Sequence, residues 1–311
     1  MTRPCKVGVF LPIVETQMAG ATARWSDLQA MARAAEDVGL DSVWIPDHLY
    51  FEYPGVTEST YECISILAAL AAVTTRVEIG TLVICTGFRN PAILASMANT
   101  IDEISNGRLI LGLGAGYLEP EYRAFGVPYD HRVSRFEEAL HIITTLLRER
   151  KVDFEGKHYS ARECVLRIGG PRPNGPPIMI GTTGPRMLRL TAQYADLWNK
   201  YLIADNSSAS EIPPLRAVVD AACAEVGRDP ATLGRTASVL VDFINRPDVP
   251  PSPDRPLAKP KPIVGTPEEM AAQLRAFADE GISHIQIWTN PRTVEGVERL
   301  GPVLEALDRD G

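Results

Sequence analysis

The sequence lacks the features that mark membrane-spanning, secreted and nucleic-acid-binding proteins. Its longest apolar run near the N-terminus, residues 7–14, is interrupted by Gly8 and Pro12. That run is far too short to span a bilayer, and it lacks the layout of a signal peptide. No run of Lys and Arg is present, and the formal net charge is −8. Because nucleic acids and anionic membranes bind concentrated positive charge, we expect neither as a partner.

Cysteine is scarce and is not arranged for cross-linking or metal binding. No Cys-x-x-Cys spacing occurs among the five cysteines, which are Cys5, Cys63, Cys85, Cys164 and Cys223. Neither a disulfide framework nor a zinc site is therefore indicated. The five histidines show no ligand spacing either, so we predict no metal. Reduced thiols and the missing signal peptide predict a cytoplasmic protein.

The chain does contain a regular alternation of strands and helices. Hydrophobic residues make up 45% of its 311 residues, which suffices for a large core, and we expect one domain over residues 1–311. Strands are predicted at residues 6–11, 42–46, 77–85, 109–113, 178–180, 196–201, 236–243 and 282–288. Eight strands separated mostly by helices are typical of the α/β class and predict a (β/α)8 TIM barrel. We expect a short insertion after the fourth helix, at residues 152–176, and a proline-rich loop at residues 246–262.

Asp47 and His48 directly follow the second predicted strand. Catalytic groups of barrels cluster at the carboxyl ends of the strands, and an imidazole can transfer a proton near neutral pH. A histidine that only bonds a backbone carbonyl is the alternative for such a pair.

A glycine-rich loop follows the fourth predicted strand, with glycines at positions 112, 114 and 116. The spacing does not fit the dinucleotide fingerprint, and Pro120 interrupts the place where the phosphate-binding helix would continue. The glycines instead predict that the backbone approaches a flat ring closely. A tight turn from strand to loop remains the alternative.

Residues 181–186, with Thr182, Thr183 and Gly184, lie between the fifth strand and a helix. Free amides, two hydroxyls, the helix dipole and the nearby Arg186 predict a phosphate site. A plain helix cap is the alternative.

A polar, aromatic loop at residues 117–122 is predicted to cover the barrel mouth. It contains Glu119 and Glu121. We expect at least one of them to be a solvated surface charge.

Taken in order along the chain, these motifs resemble the bacterial luciferase-like superfamily of flavin- and deazaflavin-dependent oxidoreductases. The resemblance extends over nearly the full length. It is carried by residues 7–12, 41–48, 80–83, 90–91, 106–108, 112–117, 119–122, 181–185 and 265–269.

The resemblance implies a cofactor ring at the carboxyl ends of the strands and assigns a role to each candidate residue. His48 would face the reactive ring position, with Asp47 beside it as a second catalytic and cofactor-binding residue. A non-prolyl cis peptide would join Leu82 and Val83 beneath the ring. The remaining residues fall into three groups: Ala115, Gly116 and Tyr117 at the ring; Thr182, Thr183 and Gly184 at the cofactor phosphate; and Phe10, Phe88, Trp198 and Trp288 on the apolar substrate wall.

Tyr117 departs from one part of the superfamily. In sugar-phosphate dehydrogenases that resemble this chain, a glutamate acts as acid at the corresponding position. That substrate class is therefore doubtful here, and Tyr117 becomes a predicted ring or substrate contact.

We accordingly predict an oxidoreductase that transfers hydride to or from a small organic substrate, using coenzyme F420 or FMN, with F420 favoured. An FMN-dependent monooxygenase that uses molecular oxygen is one alternative. A non-redox barrel isomerase or lyase and a non-catalytic barrel subunit are the others. A homodimer is expected.

Overall fold

Eight parallel strands pair edge to edge in a closed ring. The computed structural model describes residues 3–53, 56–244 and 260–309. Each strand pairs with the next, and the last pairs with the first. The predicted (β/α)8 barrel is therefore confirmed. The strands are β1 (Lys6–Phe10), β2 (Ser42–Ile45), β3 (Glu78–Thr81), β4 (Leu109–Gly114), β5 (Ile178–Gly181), β6 (Leu197–Tyr201), β7 (Gly234–Asp242) and β8 (His284–Asn290).

Helices cover the outside of the ring and begin where local signals predict. Asn90 accepts hydrogen bonds from the amides of Ala92 and Ile93, and Pro91 occupies the first helical turn, where a missing N–H has no cost. The helices are Trp25–Asp37, Cys63–Val73, Pro91–Ile104, Glu119–Ala124, Arg132–Glu149, Pro185–Tyr194, Ile212–Glu225, Pro267–Asp279, Val294–Glu298 and Leu300–Arg309. The described helices include none that is both long enough and apolar enough to cross a membrane.

One large side chain fills the middle of the barrel. Trp44 points inward from β2 and is 0% exposed. A Cβ atom added to Gly80 would lie 2.3 Å from the Trp44 ring, and one added to Gly8 would lie 2.7 Å from its Nε1. Glycine at these two positions therefore makes room for the indole, and the barrel is a packed core below its mouth.

The loops differ from the sequence-based expectations in three places. The insertion expected at residues 152–176 holds a hairpin, Lys151–Glu155 with Ser160–Val165, so its regular structure starts one residue before the expected bounds. The loop after β2 contains a hairpin, Tyr50–Tyr53 with Val56–Ser59, that we did not predict, and residues 119–124 form a helix within the predicted lid. Of the proline-rich loop, residues 246–259 lie outside the described residues.

Candidate active site

The carboxyl ends of the eight strands meet at one end of the barrel, and the loops after β2, β3, β4 and β5 carry most of the predicted site residues. Parallel strands necessarily place these loops together. Hydrogen bonds and ring contacts determine which of the side chains meet.

His48 stands near the start of the loop that follows β2, against a carboxylate and two aromatic rings. Its Nδ1 lies 3.1 Å from Oε1 of Glu121, and its side chain is 15% exposed. The ring centroid is 4.3 Å from that of Phe51 and 5.5 Å, edge-on, from that of Tyr117. Thr60 donates a hydrogen bond to the backbone carbonyl of His48. The imidazole is thus held in one orientation, with part of one edge open.

Glu121 is the residue that sequence reasoning did not single out. Its side chain is 2% exposed, and its Oε2 accepts a hydrogen bond of 2.9 Å from the backbone amide of Leu49. Glu119, two positions away on the same short helix, is exposed. The expectation that at least one of the two is a surface charge is therefore confirmed. We did not predict the helix at Glu119–Ala124, and its first turn directs one glutamate inward and the other outward.

Asp47 is buried and is occupied by a guanidinium. It is 3% exposed and accepts two hydrogen bonds from Arg89, at 2.6 and 2.9 Å, and a third from the amide of Cys85 at 3.0 Å. Burial lowers the pKa of Arg89, but its bonds to Asp47 and Glu62 outweigh that effect, so the pKa is raised. This ion pair ties the loop after β2 to the loop after β3, one residue before His48 in the chain.

The peptide bond between Leu82 and Val83 is cis, as the family resemblance implied. The Val83 side chain lies between the ends of β4 and β5. A Cβ atom added to Gly114, at the end of β4, would lie 2.6 Å from Val83 Cγ2. One added to Gly181, at the end of β5, would lie 3.5 Å from Val83 Cγ1. Leu82 belongs to the apolar cluster inside the barrel. The two side chains therefore form part of an apolar floor at the mouth.

The glycine loop is shaped by the side chain beneath it. Gly116 has φ +71°, and an added Cβ would lie 2.0 Å from Tyr122 Oη and 2.6 Å from Cys85 Sγ. Tyr122 donates a hydrogen bond of 2.9 Å to the carbonyl of Ala115. Burial raises the pKa of the Cys85 thiol to about 12, so this cysteine is protonated and inert near neutral pH. Glycine is thus required at position 116 by the close approach of Tyr122.

The segment after β5 presents an uncapped helix terminus. Gly184 precedes the helix Pro185–Tyr194 and supplies no side-chain cap, and a Cβ added there would meet nothing within 4 Å. Thr182 accepts a weak hydrogen bond of 3.3 Å from the Gly184 amide. Arg186, by contrast, is paired with Glu137 on the neighbouring helix. The predicted arginine of this site is therefore engaged with Glu137, while Thr183 and Gly184 are exposed.

A sequence model of the luciferase-like monooxygenase family matches residues 5–245. The chain belongs to this family.

Two curated relatives of this luciferase-like chain are named for redox reactions. The phthiodiolone/phenolphthiodiolone dimycocerosates ketoreductase of Mycobacterium tuberculosis is 32% identical over 271 residues, covering 81% of this chain and 68% of the ketoreductase. The F420-dependent glucose-6-phosphate dehydrogenase of Kineococcus radiotolerans is 32% identical over 223 residues, covering 70% of this chain and 64% of the dehydrogenase. The predicted family and the oxidoreductase class are therefore confirmed.

A solved structure shares the whole fold of this luciferase-like chain. An F420-dependent secondary alcohol dehydrogenase in complex with an F420-acetone adduct superposes with a TM-score of 0.79 at 20% identity. The match covers 99% of both chains. At this identity the likeness shows the fold.

The four residues predicted for the substrate wall lie at different depths in this luciferase-like barrel. Phe10 and Trp198 are 3% and 1% exposed, and the Trp198 indole donates to the carbonyl of Thr182 at 2.8 Å. Trp288 is half-buried with its ring centroid 5.1 Å from that of Phe10. Phe88 is also half-buried. Phe88 and Trp288 thus keep some surface available, whereas Phe10 is buried in the cluster inside the barrel that Trp288 packs against, and Trp198 is buried in the separate, larger core cluster.

Proposed function

We propose that this chain is an F420-dependent oxidoreductase that interconverts an alcohol and a carbonyl group on a small organic molecule. One observation carries the proposal. His48 stands at the carboxyl end of the barrel with its Nδ1 3.1 Å from a carboxylate oxygen, at the same end as the apolar floor and the helix terminus at Gly184. Among the described residues, its Nε2 has no hydrogen-bond partner, so this nitrogen is the one that can exchange a proton with a substrate.

The residues at the mouth fit a flat ring with an anionic tail. Leu82 and Val83 offer an apolar surface, and Ala115, Gly116 and Tyr117 form the adjoining loop. The open space at Gly184 and its uncapped helix terminus suit a phosphate, since such termini bind anions through free amides and the helix dipole. Thr182 and Thr183 would add hydroxyl donors. The cofactor, when bound, supplies or accepts a hydride.

The protein's own part in the reaction is orientation and proton transfer. His48 would give a proton to the substrate oxygen during reduction and take it back during oxidation. Phe51 and Tyr117 contact the imidazole and would shield part of it from water. Phe88 and Trp288 would contact the apolar part of the substrate.

F420 is favoured over FMN by the names of similar proteins. The glucose-6-phosphate dehydrogenase of Kineococcus radiotolerans is F420-dependent by name. Tyr117 stands where the resemblance places a glutamate in sugar-phosphate dehydrogenases, so we propose a substrate other than a sugar phosphate. An FMN-dependent monooxygenase is the second candidate because the family is described as luciferase-like monooxygenases. Homodimer assembly, a single domain and a cytoplasmic location remain predictions.

The test is an anaerobic assay with the purified protein and oxidised F420, using a panel of secondary alcohols. We expect F420 to be reduced by at least one alcohol, and the reverse reaction to consume the matching ketone. Oxygen-dependent turnover with reduced FMN and none with F420 would favour the monooxygenase. Binding of neither cofactor would reject both.

A further inference from the structure

A buried carboxylate–imidazole pair lies directly at the proposed reaction centre. The Glu121 side chain is 2% exposed and that of His48 15%. Both carboxylate oxygens are used: Oε1 faces Nδ1 of His48 at 3.1 Å, and Oε2 accepts from the Leu49 amide at 2.9 Å. A buried carboxylate with two donors is satisfied as an acceptor.

The helix that carries Glu121 is fixed to the loop that carries His48. Tyr50 donates a hydrogen bond of 2.9 Å to the carbonyl of Pro120, and the Leu49 amide binds Glu121 itself. The loop after β2 and the loop after β4 are thus joined by two hydrogen bonds, one to the Glu121 carboxylate and one to the carbonyl of the preceding residue. The pairing is therefore part of the framework of the site.

We propose that Glu121 is the positioning residue for His48 and that it fixes the proton of the neutral imidazole on Nδ1. A carboxylate can only accept, so the hydrogen of the Nδ1–Oε1 bond belongs to the imidazole. The lone pair of neutral His48 then lies on Nε2, at the open edge of the ring. The same carboxylate stabilises the imidazolium once Nε2 has taken a proton.

This inference rests on the proposed function. It specifies which atom gives up the proton and which atom receives it in each direction of the reaction. In alcohol oxidation, the O–H bond of the substrate breaks and its proton goes to Nε2. The carbon loses a hydride to the oxidised deazaflavin, and a carbonyl remains. Reduction is the reverse, with the proton returning from Nε2 to the oxygen.

Asp47 does not fill this role, although it is the nearer carboxylate in sequence. Both of its oxygens are bound to Arg89, and the Cys85 amide occupies it further. Glu121 is therefore the carboxylate that bonds the ring.

The test is the tautomer of His48, read from the 15N shifts of its two ring nitrogens in histidine-labelled full-length protein under mildly alkaline conditions. The signals are assigned by their loss in His48→Asn. We expect hydrogen on Nδ1 in the wild type. In Glu121→Gln the side-chain oxygen would stay with the Leu49 amide and the NH2 group would donate to Nδ1, so the hydrogen should move to Nε2. The matched control, Glu119→Gln on the exposed face, should leave the tautomer unchanged.

Hydrogen on Nε2 in the wild type would overturn the proposal, even if no Glu121 variant folds. An unchanged tautomer in a folded Glu121→Gln would overturn it as well. In the F420 assay we expect Glu121→Gln to lower kcat about 100-fold with KM changed less than about threefold, since outer partners of a reacting histidine typically contribute this much or more. Because the NMR measurement needs no cofactor, the expected tautomers without F420 turnover in the wild type would reject only the proposed function.

Discussion

Two histidines at opposite ends of the barrel, one buried and one partly exposed, differ in what they can do. His284 begins β8 at the amino end, is 4% exposed, and its Nε2 lies 2.7 Å from the hydroxyl of Ser42. Burial, with a smaller effect from the Lys6 charge, lowers its pKa to about 3. His48 lies at the carboxyl end, has an open edge, and is bound to a carboxylate.

The comparison shows that the partner and the strand end decide the role of a histidine. A hydroxyl offers no charge to balance an imidazolium, so His284 stays neutral and contributes packing and one hydrogen bond. A carboxylate can balance the charge that His48 gains with a proton. Of the two, only the ring at the carboxyl end is placed to meet a substrate.

The largest expected effect is the loss of turnover when His48 is substituted. His48→Asn should lower kcat by about 10²–10⁴-fold, the usual contribution of a general acid or base, while F420 affinity changes less than about threefold. Steady-state kinetics and a fluorescence titration on the same preparation measure both. Turnover at the wild-type rate would remove His48 from the mechanism.

His284→Leu should affect the stability of the protein rather than its turnover. The substitution removes the imidazole that the Ser42 hydroxyl contacts, so that the hydroxyl keeps only the Trp44 indole as donor, and it disturbs the ring contact with Trp44, 5.4 Å between centroids. We expect a loss of about 2–3 kcal/mol in the free energy of unfolding, measured by urea denaturation, with kcat per folded molecule nearly unchanged. A large loss of kcat without a loss of stability would contradict the assigned roles.

The same histidine predicts how stability depends on pH. Since its pKa is lowered from 6.5 to about 3 by folding, protonation favours the unfolded chain. The contribution of His284 is complete above pH 6.5 and declines as the pH falls toward 3. Between about pH 8 and about pH 5 the wild type should lose about 2 kcal/mol more than His284→Leu does. Equal pH slopes in the two proteins would mean that His284 is not held neutral.

The smallest expected effect separates cofactor binding from proton transfer. Thr183→Val removes one hydroxyl from the proposed phosphate site while keeping the shape of the side chain. F420 affinity should fall about 2–10-fold, as for the loss of one typical hydrogen bond with a net contribution of about 0.5–1.5 kcal/mol, and kcat at saturating F420 should hardly change. The outcome opposite to this, a fall in kcat with unchanged affinity, would place Thr183 near the reacting atoms instead.

The sequence predicts the barrel well because each strand is a short apolar run bounded by turn residues. It also places His48 and Thr182 at strand ends, since strand order alone determines where those loops gather. The sequence does not show which of Glu119 and Glu121 turns inward. That depends on a six-residue helix, and Pro120 and the nearby glycines obscure the helical pattern there. The pairing of Asp47 with Arg89 joins residues 42 positions apart, and no local pattern shows it.

The central claim is that a redox ring binds at the barrel mouth beside His48. Equilibrium titration of the wild type and His48→Asn with F420 and with FMN, followed by fluorescence, tests it most directly. We expect saturable binding of F420 by both proteins, stronger than that of FMN. Failure of the wild type to bind either compound would contradict the account.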